Sequence, residues 1–154
     1  MVMVDSIAPA GLGDLALTDA FLKSLDQFGL GVMIKDASSG RYEHANEAAT
    51  RLLGLSNRSV VGAVDAELFD AAQAMSLRAA DQQTLAVPAR GVRAEHKMEL
   101  AGGRREFVTW RQVLADADES DKKLVSVWQD VTEARAKETQ LQNALAQLEQ
   151  QQKA

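Results

Sequence analysis

The chain has 154 residues, enough for one domain with its own hydrophobic core and too few for two domains of ordinary size. Hydrophobic residues make up 46% and charged residues 25%, as in soluble globular domains, and the lack of cysteine excludes disulfides, zinc–thiolate sites and cysteine nucleophiles. The net charge is −5, and the sequence contains no long Lys/Arg cluster. It also lacks a secretory leader pattern and an apolar run of roughly 20 residues. The sequence therefore predicts a cytoplasmic protein with no nucleic-acid or membrane partner.

The first 29 residues divide into a predicted arm and a predicted helix. Residues 1–16 contain Pro and Gly at three positions and are predicted to form a flexible arm. Apolar residues then recur at helical spacing, which predicts an amphipathic helix over residues 17–29. Its apolar stripe, a candidate dimer interface, consists of Leu17, Phe21, Leu25 and Phe28.

Residues 30–130 are predicted to form the main domain, which begins with a hairpin. Two strand-like runs, Gly31–Lys35 and Arg41–Ala45, flank a turn-prone segment that ends in Gly40. Asn46 is the predicted N-cap of the short helix that follows, and Gly54 marks the end of this helix.

Further helices and three strands follow in the predicted order. Asp65 opens a short helical turn, and a longer helix is predicted over about Ala71–Leu85. Apolar and charged residues alternate over Val92–Leu100, which predicts a half-buried antiparallel strand. Two more strands are predicted over Arg105–Ala115 and Lys123–Gln129.

The last segment, residues 131–154, has the apolar pattern of a helix that pairs with another helix. Val131, Leu141, Leu145 and Leu148 follow steps of three and four residues without Gly or Pro between them, so they are candidate dimer contacts. Only two heptads are apolar, fewer than a sustained coiled coil requires. Because the pattern continues to the last residues, we expect a fragment of a longer protein.

Three segments, in the right order and spacing, resemble the PAS domain family. Gly31–Gly54 is similar to the opening of these domains, and Val61–Phe69 is similar to their helical middle. Asp130–Arg135 begins with Asp-Val-Thr-Glu, which matches the motif at the end of many PAS domains. The resemblance covers about residues 20–135.

The resemblance implies an α+β fold with a five-stranded antiparallel sheet in the order 2-1-5-4-3 and helices on one face. It also implies a small cavity between the sheet and the longer helix, where PAS domains hold haem, flavin, small acids or nothing. The family consists of input modules that pass a change in the cavity to an output domain. Histidine kinases and diguanylate cyclases are common outputs.

Strand parity and the implied fold together predict which side chains line the cavity. The predicted lining consists of Met33, Ile34, Tyr42, Leu53, Phe69, Met75, His96, Met98 and Trp110. Its Met and Leu content predicts an apolar, adaptable pocket. Arg78 or Arg111 is the candidate residue for binding an acidic ligand.

The sequence gives limited support to a coloured cofactor. His96 can bind haem iron, bond a ligand carboxylate or titrate near neutral pH, although a buried core histidine is the favoured interpretation. Haem is disfavoured because the longer helix contains no His, from which haem-binding relatives often take their iron ligand. Trp110 and Trp128 leave flavin open, although core packing is favoured for both. A colourless small molecule or no ligand is expected, and no metal is expected because His44 and His96 lie at opposite edges of the implied sheet.

The Asp-Val-Thr-Glu segment is the predicted signal relay. Asp130 or Thr132 can cap the terminal helix, and a pair between Asp130 and Arg135 can fix the angle between this helix and the last strand. Glu133 belongs to the same motif.

The sequence therefore predicts a cytoplasmic PAS sensor module that forms a homodimer and relays a ligand signal to a C-terminal output domain, a diguanylate cyclase or a sensor histidine kinase. The alternative is a ligand-free dimerisation and interaction module, and a minor alternative is a haem or flavin sensor. No catalytic motif is present, so the fragment itself is not expected to be an enzyme.

Overall fold

The computed structural model describes residues 12–114 and 121–153. The helices are α1 (Leu12–Gln27), α2 (Glu47–Leu52), α3 (Asp65–Leu68), α4 (Ala71–Ala86) and α5 (Thr132–Lys153). The strands are β1 (Gly31–Asp36), β2 (Tyr42–Ala45), β3 (Val92–Leu100), β4 (Gly103–Leu114) and β5 (Lys123–Asp130). The predicted order of elements is confirmed. None of the described helices combines the length and apolar character needed to cross a membrane.

Helix α1 differs from its prediction at both ends. It starts at Leu12, so residues 12–16 are helical although they were assigned to a flexible arm; residues 1–11 of that arm lie outside the described part of the chain. A single glycine costs a helix only about 1 kcal/mol, so Gly13 does not end it. The helix stops at Gln27, where Leu30 donates to the carbonyl of Leu25 and Gly29 takes a φ of 75°. This pair of features is a Schellman motif.

The five strands form one antiparallel sheet in the order β2-β1-β5-β4-β3, as predicted. The helices α2, α3 and α4 lie against one face. The core between them contains Met33, Tyr42, Ala49, Leu53, Leu55, Val60, Leu68, Leu77, Met98, Phe107 and Trp128. The parity predicted for β3 is also confirmed, because His96 and Met98 are buried while their neighbours along the strand are exposed.

Asn46 joins α2 to the sheet. Its side-chain oxygen accepts hydrogen bonds from the backbone of Ala49, as the predicted N-cap, and from the backbone of Val32, both at 2.9 Å. Its amide donates to the carbonyl of Leu30 at 3.0 Å. Helix α2 lies close to the start of β1, because a Cβ added at Gly31 would lie 2.9 Å from the Cα of Ala49. One side chain therefore fixes both the start of α2 and the start of β1.

Candidate functional site

A half-open cleft of about 640 Å³ lies beside the core. Its walls are the β1–β2 turn (residues 37–40), the start of α3 (residues 64–66) and one face of α4. That face comprises Ala71, Ala74, Met75, Arg78, Asp81, Gln82 and Leu85, which recur at helical spacing. The cleft therefore depends on how α4 is held against the sheet.

The floor of the cleft contains a buried lysine between two carboxylates. The Nζ of Lys35 lies 2.5 Å from an oxygen of Asp65 and 2.5 Å from an oxygen of Asp81. All three side chains line the cleft. The lysine therefore links β1 to α3 and α4 by two ion pairs.

The chain of charges continues into the core through Arg111. Its Nε donates to the second oxygen of Asp81 at 2.9 Å, and its Nη1 donates to the hydroxyl of Thr109 at 2.5 Å. The guanidinium lies 5.6 Å from the ring centre of Trp128, and Arg111 is only 2% exposed. The four charged residues, Asp65, Lys35, Asp81 and Arg111, sum to zero, as burial requires.

Tyr42 completes the hydrogen bonding of Asp65. Its hydroxyl donates a 2.5 Å hydrogen bond to one Asp65 oxygen, while Lys35 contacts the other. The Lys35 ammonium lies 4.9 Å from the Tyr42 ring centre. Burial and the neighbouring Asp65 charge raise the pKa of Tyr42 well above its ordinary value, so the hydroxyl keeps its proton and remains a donor.

Sequence reasoning missed Lys35, Asp65 and Asp81 as site residues, although two periodicities could have found Lys35 and Asp81. Lys35 shares its strand face with the buried Met33 because the two are two residues apart. Asp81 follows Leu77 by four residues on α4 and therefore lies on the buried face of that helix. A charged residue at an apolar position of a regular pattern is the signal of a buried polar site.

The structure separates the residues predicted to line one cavity. Met75 and Arg78 line the cleft, with Met75 72% exposed. Tyr42 and Arg111 lie behind it and hold its carboxylates. By contrast, Met33, Leu53 and Met98 are packed in the core, and Phe69 packs against it from the side. Ile34 is half-buried and has the opposite strand parity from Met33.

The prediction that Trp110 lines the cavity is wrong. Trp110 is 47% exposed and lies on the outer face of β4, beside Gly91. It precedes Arg111, and consecutive residues of a strand point to opposite faces, so the two cannot share a cavity. The tryptophan that packs inside is Trp128, on β5.

His96 is buried beside the core residue Trp128. Its ring stacks on Trp128 with centroids 5.6 Å apart, and its Nδ1 lies 3.3 Å from the hydroxyl of Ser76. Its Nε2 is buried without a hydrogen-bond partner. Burial, followed by the nearby Arg111 charge, lowers the pKa of His96 to about 4, so its ring is neutral at pH 7.

The junction between β5 and α5 differs from the predicted relay. Asp130 accepts hydrogen bonds from the backbone and hydroxyl of Thr132, and Arg105 lies 3.5 Å from its other oxygen. The predicted pair between Asp130 and Arg135 does not form, because these partners already occupy the carboxylate. Arg135 instead pairs with Glu95 at 2.8 Å and Glu106 at 3.3 Å.

Other contacts at this junction tie α5 to β4. The backbone N–H of Glu106 donates to the Thr132 hydroxyl at 2.9 Å, and the N–H of Val131 donates to the Glu106 carbonyl. Glu133 is largely exposed and lies 3.8 Å from Arg105. These contacts attach α5 to the domain by its first turn.

Two apolar stripes are exposed to solvent. On α1 and just after it, Leu17, Phe21 and Phe28 are exposed and Leu25 is half-buried. On α5, Leu141, Leu145 and Leu148 are 66%, 60% and 55% exposed, and none of the described residues of this helix is buried. Val131, just before α5, is half-buried.

No group of three or more His, Cys, Asp or Glu in the described ranges is arranged to hold a metal ion. The two histidines lie on opposite edge strands, since β2 carries His44 and β3 carries His96.

The comparisons with known proteins agree with this architecture. A family model described as the PAS fold matches residues 25–136, well over half of the chain. The chain belongs to the PAS family. A PAS domain is a sensory module, and many solved structures match this fold. No curated protein sequence gives a significant match.

Three of the similar solved structures come from different organisms. The PAS domain of Bordetella pertussis BvgS has a TM-score of 0.61 and 19% identity, covering 88% of this chain and 98% of that one. A sensory box histidine kinase/response regulator from Burkholderia thailandensis has a TM-score of 0.60 and 14% identity, covering 84% and 98%. The PAS domain of the Cronobacter turicensis quorum-sensing receptor RpfR, in complex with C12:0, has a TM-score of 0.51 and 17% identity, covering 68% and 95%.

Proposed function

We propose that this PAS domain binds a small ligand in the cleft beside α4 and passes the change to α5. The observation that carries the proposal is the charged floor of the cleft, where Lys35 joins Asp65 and Asp81. An accessible cleft whose floor is a fully paired charged network combines shape with polar groups held in place. Residues 30–130 would be the sensor and residues 131–154 the signalling helix.

The same charges give the cleft a route to the sheet. Lys35 belongs to β1, Asp65 to α3 and Asp81 to α4, while Arg111 connects Asp81 to β4. Strand β5 pairs along its whole length with β4, and β5 leads into α5. An occupant that moves α4 must shift Asp81 and therefore disturbs the bonds of a strand beside the exit.

The relay proposed at the exit uses the contacts of the Asp130–Arg135 segment. Asp130 and Thr132 fix the turn from β5 into α5, and Glu133 extends the charge cluster around Arg105. Arg135 connects the helix to β3 through Glu95 and to β4 through Glu106. A shift between these two strands would therefore change the tilt of α5.

Native mass spectrometry of the purified protein, repeated after denaturation, tests first whether a ligand is bound. We expect an additional mass that disappears on denaturation, and its value separates a small metabolite from haem or flavin. In Ala74→Trp, a bulky ring fills the cleft from α4, so the additional mass should be lost. Ala79→Trp is the matched control, because Ala79 lies on the exposed side of the same helix.

A ligand-free interaction module is the second candidate, and one observation favours it. Side chains fill the space between sheet and helices, where Met33, Leu53, Met98 and Trp128 pack together. If the wild type and both tryptophan variants show only the mass of the protein, this candidate replaces the ligand-binding sensor. The exposed stripe of Leu17, Phe21 and Phe28 would then be its partner surface.

We also propose that the domain forms a homodimer through α5 and α1 in the cytoplasm and controls an output domain such as a diguanylate cyclase or a sensor histidine kinase. Helix α5 extends about 33 Å, at 1.5 Å per residue, with its leucines exposed along one stripe. A stripe of this kind is buried only against another helix.

Replacing Leu141, Leu145 and Leu148 together with Ser is expected to convert the dimer to a monomer in sedimentation equilibrium. The reason is that each serine removes an apolar contact from the seam. A matched variant replaces three polar residues of the same helix with Ser: Gln140, Gln147 and Gln151. It should remain dimeric, and a dimer in both variants would move the interface to α1.

A further inference from the structure

The charge of the cleft indicates which ligands it can take. Lys35, Asp65 and Asp81 on its floor, together with Arg111 behind them, form a closed network with no net charge. Arg78 is the other charged residue that lines the cleft, and it has no hydrogen bond or ion pair within the described part of the chain. The cleft and its supporting network therefore carry a net charge of +1.

Arg111 is not available to a ligand, although sequence reasoning offered it as an alternative to Arg78. Its side chain is 2% exposed, and its guanidinium donates to Asp81 and Thr109 and lies over the Trp128 ring. A ligand could bind it only by displacing Asp81, which would leave a buried carboxylate short of a partner. Arg78 lies on the cleft face of α4, between Met75 and Gln82, and is accessible.

The floor is equally unsuited to a cationic ligand. Each carboxylate already accepts two bonds, Asp65 from Lys35 and Tyr42, and Asp81 from Lys35 and Arg111. An ammonium group bound there would lie beside the Lys35 ammonium, and the repulsion between like charges opposes binding.

A phosphate monoester does not match the charge of the cleft either. It carries about −1.5 to −2 at pH 7, which exceeds the single positive charge of the unpaired Arg78.

Apart from Ser38, Ser39, Gly40 and Gln82, the rest of the lining is apolar and consists mostly of small residues. Ala37, Val64, Ala66, Ala71 and Ala74 face the cleft, as do Met75 and Leu85 at its α4 wall. Such walls favour a hydrocarbon body, whereas Arg78 favours one negative charge.

From these observations we infer that the cleft takes a small organic monocarboxylate, with Arg78 binding the carboxylate and the small apolar side chains contacting the hydrocarbon body. The inference rests on the proposed ligand-binding function and narrows it to one ligand class.

Two acids of different shape, hexanoate and phenylacetate, test the inference against their neutral and cationic counterparts. The counterparts are hexan-1-ol, 2-phenylethanol and 2-phenylethylammonium. Each is titrated into ¹⁵N-labelled protein, and the dissociation constant is taken from the amide shifts of α4. We expect at least one acid to bind about 10-fold or more tightly than its alcohol, because only the acid forms a charge-assisted bond with Arg78. The ammonium compound should bind more weakly than the alcohol.

Variants then assign the charge to one residue. Arg78→Gln should weaken binding of the acid about 10-fold or more while leaving the alcohol unchanged, because only the charge-assisted bond is lost. Arg78→Lys keeps the positive charge and should recover most of the affinity. Arg90→Gln is the matched control, because Arg90 is exposed and lies outside the cleft.

Two results overturn the inference and differ in what they leave standing. If the alcohols or the ammonium compound bind as well as the acids, or Arg78→Gln has no effect on the acids, the cleft binds ligands but the monocarboxylate class is wrong. If no probe shifts the α4 amides and native mass spectrometry shows no additional mass, the proposed ligand-binding function fails as well.

Discussion

Replacing Lys35 with Met is expected to lower the free energy of unfolding by about 3–5 kcal/mol, the range for a buried ion pair that loses one partner. The loss is large because Lys35 bonds two carboxylates at once, and Met would leave Asp65 and Asp81 with only the Arg111 cation. Urea unfolding followed by circular dichroism measures the change. The matched control is Lys97→Met on the exposed side of β3, which should change stability by less than about 0.5 kcal/mol.

A second substitution separates the charge from the loss of packing. Adding Asp65→Asn to Lys35→Met removes the unpaired carboxylate and restores a neutral network of Asp81 and Arg111. The double variant should recover a substantial part of the lost stability, because an uncompensated buried charge costs more than a missing pair. If the two substitutions simply add, the Lys35–Asp65 pair contributes little, and the stability comes from the remaining contacts of each residue.

The stability of the protein is expected to fall as the pH is lowered from 6.5 to 4, with His96 contributing about 3 kcal/mol of that loss. In the unfolded chain His96 has its ordinary pKa of 6.5, whereas burial lowers the pKa to about 4 in the fold. Between these values the unfolded state binds the extra proton, so acid favours unfolding. The contribution is complete above pH 6.5 and its loss is complete below about pH 4.

His96→Phe isolates this effect from the carboxylates that titrate in the same range. The phenyl ring can keep the stacking on Trp128 but binds no proton. Thermal unfolding from pH 7.5 to 4 should show a shallower decline for His96→Phe than for the wild type. Parallel curves would contradict the assignment and place the acid sensitivity in other groups.

The individual helices and strands follow from local patterns in the sequence, whereas the strand order was implied by the resemblance to PAS domains. The alternation of Val92–Leu100 correctly placed His96 and Met98 inside, and Asn46 was recognised as a cap from its position before a helical run. Gly29, Gly40 and Gly54 each take a positive φ at a predicted turn or helix end. These features depend on neighbours in the sequence, so the sequence of one chain is enough to predict them.

The site was harder to predict because its bonds join distant residues. Lys35 and Asp81 are 46 positions apart, and Asp81 and Arg111 are 30 apart. No local pattern indicates that a charge on β1, one on α4 and one on β4 will neutralise one another. The relay was mispredicted for the same reason: Arg135 has an acidic residue nearby in sequence, but its partners come from β3 and β4.

Because α5 is attached to the domain by its first turn, any change of tilt at that turn is amplified along the helix. Its contacts with the domain involve residues 130–135, while the remaining turns extend into solvent over a total helix length of about 33 Å. A tilt of about 5° at the anchor therefore displaces the far end by about 3 Å, roughly half the 5.4 Å pitch of the helix. A rearrangement at Arg135 can therefore be too small to change the shape of the PAS domain. At the far end of α5 the resulting displacement is still large enough to alter how the helix packs.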